Sequence, residues 1–135
     1  NYKGGVQVRD LSEKEFSDLM FEKLESLGYE QTLQYPTTES VFPCIELHNP
    51  LKSILKTHNA FPILSMFQFS VTCWNAKQRS CMDMAKEIDN KLQEYNLTRT
   101  NTSPLIFDNT SKKYGLTVTY EVRYNGITNA FEFIK

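Results

Sequence analysis

Between residues 67 and 73 apolar and polar side chains alternate without a break: Phe67, Phe69, Val71 and Cys73 are separated by Gln68, Ser70 and Thr72. A period of two belongs to a strand with one face in a core and the other in water. From residue 81 the period changes. Cys81, Met84, Ala85, Ile88, Leu92 and Tyr95 recur at spacings of three and four, which predicts an amphipathic helix of roughly four turns. Both elements need cover. Folding the helix back over the sheet that holds the strand, with residues 75–80 as the corner, satisfies both.

The flanking sequence adds to this unit. Ser12 and Glu15 have the spacing of a capping box, and Phe16, Leu19, Met20, Leu24 and Leu27 continue as a helical stripe until Gly28 offers a left-handed stop. Phe21 lies off that stripe, at an edge of the core or in contact with another molecule. Residues 29–38 read as a loop or short edge strand. Val41, Pro43, Ile45 and Leu47 alternate with their neighbours and predict a strand, with Pro43 at its start or on an edge. Residues 49–60, with Leu51, Ile54 and Leu55 among basic residues, are long for a connection; a short helix or flap tucking two of these apolar residues against the domain is expected. Residues 105–107 and a strand over 116–124 form a hairpin, and Asn125-Gly126 turns into a last strand at Phe131 and Phe133. Helix, two strands, helix and three strands make an α+β domain: a mixed, mostly antiparallel sheet of about five strands with both helices packed on one face. Residues 11–135 form this single domain. Residues 1–10, with two glycines, read as a flexible arm ordered only by a neighbour, through side chains such as Val6 and Val8.

The 135 residues suffice for one self-supporting core, and abundant aromatics, with nine Phe, seven Tyr and one Trp, argue for order. Fifteen basic against sixteen acidic residues give a net charge of −1. That is not the basic footprint of a nucleic-acid binder, and no sequence-specific nucleic-acid binding is expected. Neither a run of eighteen apolar residues nor a charged-then-apolar leader occurs, so no membrane span or secretion is expected. Cys44, Cys73 and Cys81 are unevenly spaced and read as reduced thiols, with Cys73 and Cys81 in the core. The Asn-x-Ser/Thr triplets at Asn96, Asn101 and Asn109 read as chance matches.

Candidate chemistry is sparse, and neither catalysis, a cofactor nor a metal is expected. Cys44, His48 and His58 are close in sequence and would have to meet at one pocket mouth to bind a small ligand or act as nucleophile and base. Trp74 closes the central strand on its polar side; it either anchors a partner or packs under a neighbouring loop. An RNA-binding sheet would need exposed aromatics flanked by basic residues, where this chain has Gln68, Ser70 and Thr72.

Residues 41–92 resemble the tail terminator, or tail completion, proteins of long-tailed bacteriophages. The resemblance rests on Phe42-Pro43 leading into an apolar strand, on the strand ending in Val71-Thr72-Cys73-Trp74, and on the following helix with Ala85, Ile88 and Leu92. Residues 105–134 fit as returning strands, whereas the extended segment 49–60 departs from the pattern. The resemblance implies a structural virion protein, made in the host cytoplasm and placed at the head-proximal end of the tail. There it would form a ring, commonly a hexamer, that caps the tail tube, stops its polymerisation and docks the head-tail connector protein. Leu51, Ile54, Leu55, Trp74, Val6 and Val8 are the expected contacts with other copies, the tube or the connector. Edge strands and heterologous contacts are the physical means by which such rings close.

Overall fold

The structure, a computed structural model, describes residues 2, 3 and 6–134. Two short strands, β1 (Tyr2–Lys3) and β2 (Val6–Gln7), pair with each other. The helix α1 (Glu13–Leu24) follows, with a 3-10 turn over Glu25–Leu27. Then come β3 (Glu30–Thr32), β4 (Cys44–Leu47), β5 (Leu51–His58) and the fifteen-residue β6 (Phe61–Asn75). Helix α2 (Gln78–Gln93) leads into β7 (Thr98–Thr102), β8 (Ile106–Asp108), β9 (Lys113–Asn125) and β10 (Ala130–Glu132).

Strands β3 to β10 form one eight-stranded sheet built around the antiparallel pair β6 and β9, in register from Leu64↔Asn125 to Asn75↔Tyr114. The free side of β6 is shared by β5 and β4, and the free side of β9 by β10, β7 and β8. Only β3 with β4 is parallel, so the sheet is mixed and mostly antiparallel, with eight strands instead of about five. The register puts Phe67, Phe69, Val71 and Cys73 beside Val122, Tyr120, Val118 and Leu116 on one face. Both helices bury their stripes there: Phe16, Met20 and Leu24 from α1, and Cys81, Met84, Ala85, Ile88 and Leu92 from α2. The Phe16 ring stacks on Phe67 at 4.4 Å and meets Phe69 edge-on at 5.7 Å. Each such side chain removed from water is worth about 1.5–3 kcal/mol.

Local signals account for the ends of α1. Ser12 Oγ accepts from the Glu15 backbone N–H and Glu15 returns a bond to the Ser12 N–H, the reciprocal box that satisfies two orphan donors. Gly28, at φ +83, ends the following turn in the left-handed region.

The domain begins earlier than residue 11. Val8 is buried, Arg9 donates its backbone N–H to the Gly126 carbonyl at 2.9 Å, and Asp10 pairs with Lys52 at 2.6 Å. Val8 is therefore part of this chain's own core and not a contact for a neighbour. The remainder of the expected arm includes residues 1, 4 and 5, which lie outside the described residues; for Val6 the backbone pairing of β2 is the described feature.

Residues 49–60 also depart from expectation. Instead of a helix or flap they supply β5, which with β6 forms a hairpin closed by Asn59 and Ala60, both at positive φ. That is the backbone of a two-residue type I′ turn, whose twist matches the flanking strands.

Candidate functional site

The hairpin of β5 and the first half of β6 is the most exposed part of the sheet. Strand β5 pairs along its inner edge with β6 from Leu51↔Gln68 to His58↔Phe61, and among the described residues no other strand pairs with its outer edge. Leu51, Ile54 and Leu55 are 65%, 47% and 44% exposed, so this apolar set is presented to solvent and not tucked against the domain. The ladder skips Leu55 between Ile54↔Ser65 and Lys56↔Leu64. Such a bulge bends the strand and leaves the extra residue outside the pairing. Strand β9 ends at Asn125, and beyond the bond from Gly126 N–H to the Ile63 carbonyl the hairpin runs on without cover from it. Three more residues at about 3.4 Å each carry the tip roughly 10 Å further.

Trp74 is a different case from its expected interface role. It lies on the face away from the helices, as alternation placed it, but it is only 1% exposed. Its indole Nε1–H donates to Glu46 Oε1 at 3.0 Å, the Tyr35 ring meets it edge-on at 5.2 Å, and it covers Gly115 so closely that a Cβ there would lie 2.7 Å from the ring. The loop ahead of β4 has folded over it. A burial this complete leaves no surface for a partner, so Trp74 is removed from the interface set.

Cys44, His48 and His58 do not form one site. Cys44 lies opposite Trp74, the His48 backbone N–H bonds to the Ser70 carbonyl, and His58 lies opposite Phe61. At about 3.4 Å per residue these registers separate Cys44 from His48 by roughly 13 Å and His48 from His58 by roughly 30 Å. The cleft of about 210 Å³ beside Cys44 is lined by Glu30, Gln31, Thr32, Ser40 and Val41 and includes neither histidine. Burial, reinforced by the carboxylates of Glu46 and Glu30, pushes the Cys44 thiol up to about 11, away from nucleophilic reactivity at neutral pH. Burial raises Cys73 to about 12, with Cys81 the next cause. Among the described residues no group of three or more His, Cys, Asp or Glu is placed to hold a metal.

On the polar face of the central strands, the hydroxyls nearest β4 are hydrogen-bonded to one another. His48 Nε2 bonds to Thr72 Oγ1 at 2.8 Å, Thr72 to Thr117 at 2.7 Å, and Ser70 to Thr119 at 2.8 Å. These rows lock β4, β6 and β9 together. A second polar cluster borders a cleft of about 370 Å³ near Gln93, Leu97 and Phe133. There Arg99 grips Asp89 with two contacts, Nε at 3.0 Å and Nη2 at 2.8 Å, and the Tyr120 hydroxyl donates to the same carboxylate. Burial and that bond raise the Tyr120 phenol well above its usual range. Every charge is engaged, so the cluster ties α2 to β7 and β9 and leaves no free acid or base.

Compared with models of known protein families and with the curated proteins, the chain matches neither. No helix among the described residues is long and apolar enough to cross a membrane.

Proposed function

We propose that this chain is a structural virion protein of the tail terminator kind, forming a ring at the head-proximal end of a phage tail tube. The observation that carries the reading is the outer edge of β5, unpaired among the described residues, with Leu51, Ile54 and Leu55 exposed along the strand that leads to the projecting tip. Leu51 and Ile54 lie on opposite faces of β5 and Leu55 at its bulge, so large apolar side chains are exposed on both faces of an uncovered edge strand, which suits contact with another molecule. A hairpin at one side of a sheet also suits heterologous contact, in which one patch meets a different patch on the next copy and the series closes. The sequence resemblance of residues 41–92 supports the same reading. In it the ring binds the last turn of tube subunits, arrests polymerisation, and offers its other face to the head-tail connector protein. DNA passes through without being read, and a net charge of −1 suits that passage because tight phosphate binding would hinder it.

Light scattering across a concentration series, with electron images of the same samples, tests the ring. Closed particles of about six copies are expected. The second arm adds the protein to growing tail tubes of its own virus, where it is expected to cap one end and shorten them. A protein that remains monomeric both alone and with tubes, and leaves tube length unchanged, overturns the reading.

A further inference from the structure

Charge is unevenly distributed along this nearly neutral chain. Residues 10–39 hold eight of the sixteen acidic residues and two basic ones, whereas residues 47–82 hold no acidic residue, four Lys or Arg, and both histidines. The fold turns this into two separate surfaces. One is the hairpin tip, where Lys56 follows the exposed, bulged Leu55, His58 ends the strand and the exposed Ile54 lies on the opposite face. The other is a cleft of about 310 Å³ where α1 and its 3-10 turn meet β3, lined by Phe21, Glu25, Gly28, Tyr29, Glu30 and Gln31. Phe21 is 38% exposed there, which gives the off-stripe aromatic a place. Glu25 and Glu30 are exposed, and among the described residues neither they nor Lys56 make an ion pair. A mostly polar, acidic cleft around the one exposed Phe21 ring and a tip that carries Lys56 and His58 next to Leu55 are complementary in charge.

We infer that the hairpin tip of one copy docks into the Phe21–Gln31 cleft of a second copy, with Lys56 facing Glu25 and Glu30. A chain cannot serve itself in this way. Lys52, at the base of the hairpin, is tied to Asp10 and the Leu11 carbonyl, at the start of α1, whereas the cleft lies at the end of that helix. Twelve helical residues put about 18 Å between them, and the tip points onward from the sheet. Ladder extension along β5 is also disfavoured, because the bulge at Leu55 and the lysines at 52 and 56 are devices that blunt an edge strand. Contact through side chains is what the bulged edge permits. Tip and cleft are different patches, so the contact is head-to-tail, and it rests on the ring reading above by supplying the joint between neighbours.

Charge reversal at each surface tests the joint, read as assembled mass by light scattering. Lys56→Glu alone and Glu25→Lys with Glu30→Lys alone are each expected to raise the concentration needed for assembly by about tenfold or more. Mixing the two variants restores it, because each tip then meets a cleft of opposite charge and the copies alternate. Salt at about 0.5 M weakens wild-type assembly by screening. These positions are exposed, so circular dichroism and melting curves stay as in the wild type. Rings unaffected by either reversal overturn the joint and leave the ring standing. Rings weakened by Lys56→Glu but not by the cleft pair overturn the cleft as the receiving surface. A wild type that stays monomeric at every concentration overturns the joint, and the tube-capping arm then decides the ring separately.

Discussion

Strand β6 passes through two environments. From Phe67 to Trp74 it is paired with β9 on one side and with the start of β5 and then β4 on the other, covered by α1 and α2, and its inward side chains Phe67, Phe69, Val71 and Cys73 are fully buried. From Phe61 to Leu64 it is only half-buried, and β5 beside it is exposed over nearly its whole length. Backbone pairing runs through both halves, from β5 alone at Phe61 and Pro62 and from β9 as well from Leu64 onward. What separates them is cover by the helices and by β9, so backbone pairing fixes the shape of the hairpin while burial of the other half fixes the stability of the fold. The uncovered half leaves its apolar side chains exposed, and that is the surface proposed for docking.

Phe16→Ala strikes the covered half and should have the largest effect. The ring stacks on Phe67 and lies edge-on to both Phe69 and Phe131, so truncation leaves a cavity that joins α1 to the centre of the sheet. A loss of about 3–5 kcal/mol is expected in denaturant unfolding. Ile54→Ser, on the uncovered half, should move the same curve by less than about 0.5 kcal/mol. Equal losses would mean that the hairpin is part of the folding core.

Gly126→Ala acts where the two regions are joined. Gly126 donates its backbone N–H to the Ile63 carbonyl and accepts from the Arg9 N–H, clamping the start of the domain over the base of the hairpin. A Cβ at this position would lie 2.3 Å from the Arg9 carbonyl oxygen, which is backbone and cannot swing aside. The strap must lift, at about 1–3 kcal/mol. Faster tryptic cleavage after Arg9, with Val8 released from its pocket, is the local sign of this. Unchanged cleavage would show that the strap carries no strain.

The covered region is the part that the sequence makes legible. Alternation over 67–73 and 116–124 and the stripes of both helices follow directly from burial on one side, and each reappears in the core. The exposed region is misread for physical reasons. Leu51, Ile54 and Leu55 are spaced by three and four, which is a helical period, but in the structure Leu51 and Ile54 lie on opposite faces of a strand that has no cover on either, with Leu55 at its bulge. Strand β7, Thr98–Thr102, has no apolar alternation at all and is a strand because β9 offers it an edge. Trp74 was legible as to face but not as to burial, since its cover comes from Tyr35 and Glu46, distant in sequence. The cleft at Glu25 and Glu30 joins residues from a helix end and a strand, and Phe21 off its stripe was the one local signal of it.

The smallest effect sharpens the comparison at the hairpin tip. Asn59 and Ala60 both occupy the left-handed region, at φ 51 and 65, and Ala60 bears a Cβ that this conformation penalises by about 1–2 kcal/mol. Gly is the residue that a type I′ turn favours at this second position. Ala60→Gly removes the penalty but gives the unfolded chain more freedom, which offsets roughly 0.5–1 kcal/mol of it. The net gain of about 0.5–1 kcal/mol, the difference of those two ranges, should appear as roughly two- to fivefold greater hydrogen-exchange protection of amides in β5 and the start of β6. Amides of Phe69 and Val118 should keep wild-type protection relative to global unfolding, because their exchange does not pass through opening of the tip. A gain spread evenly over both halves would instead show that tip and core open together, and that a single cooperative unit includes the surface proposed for docking.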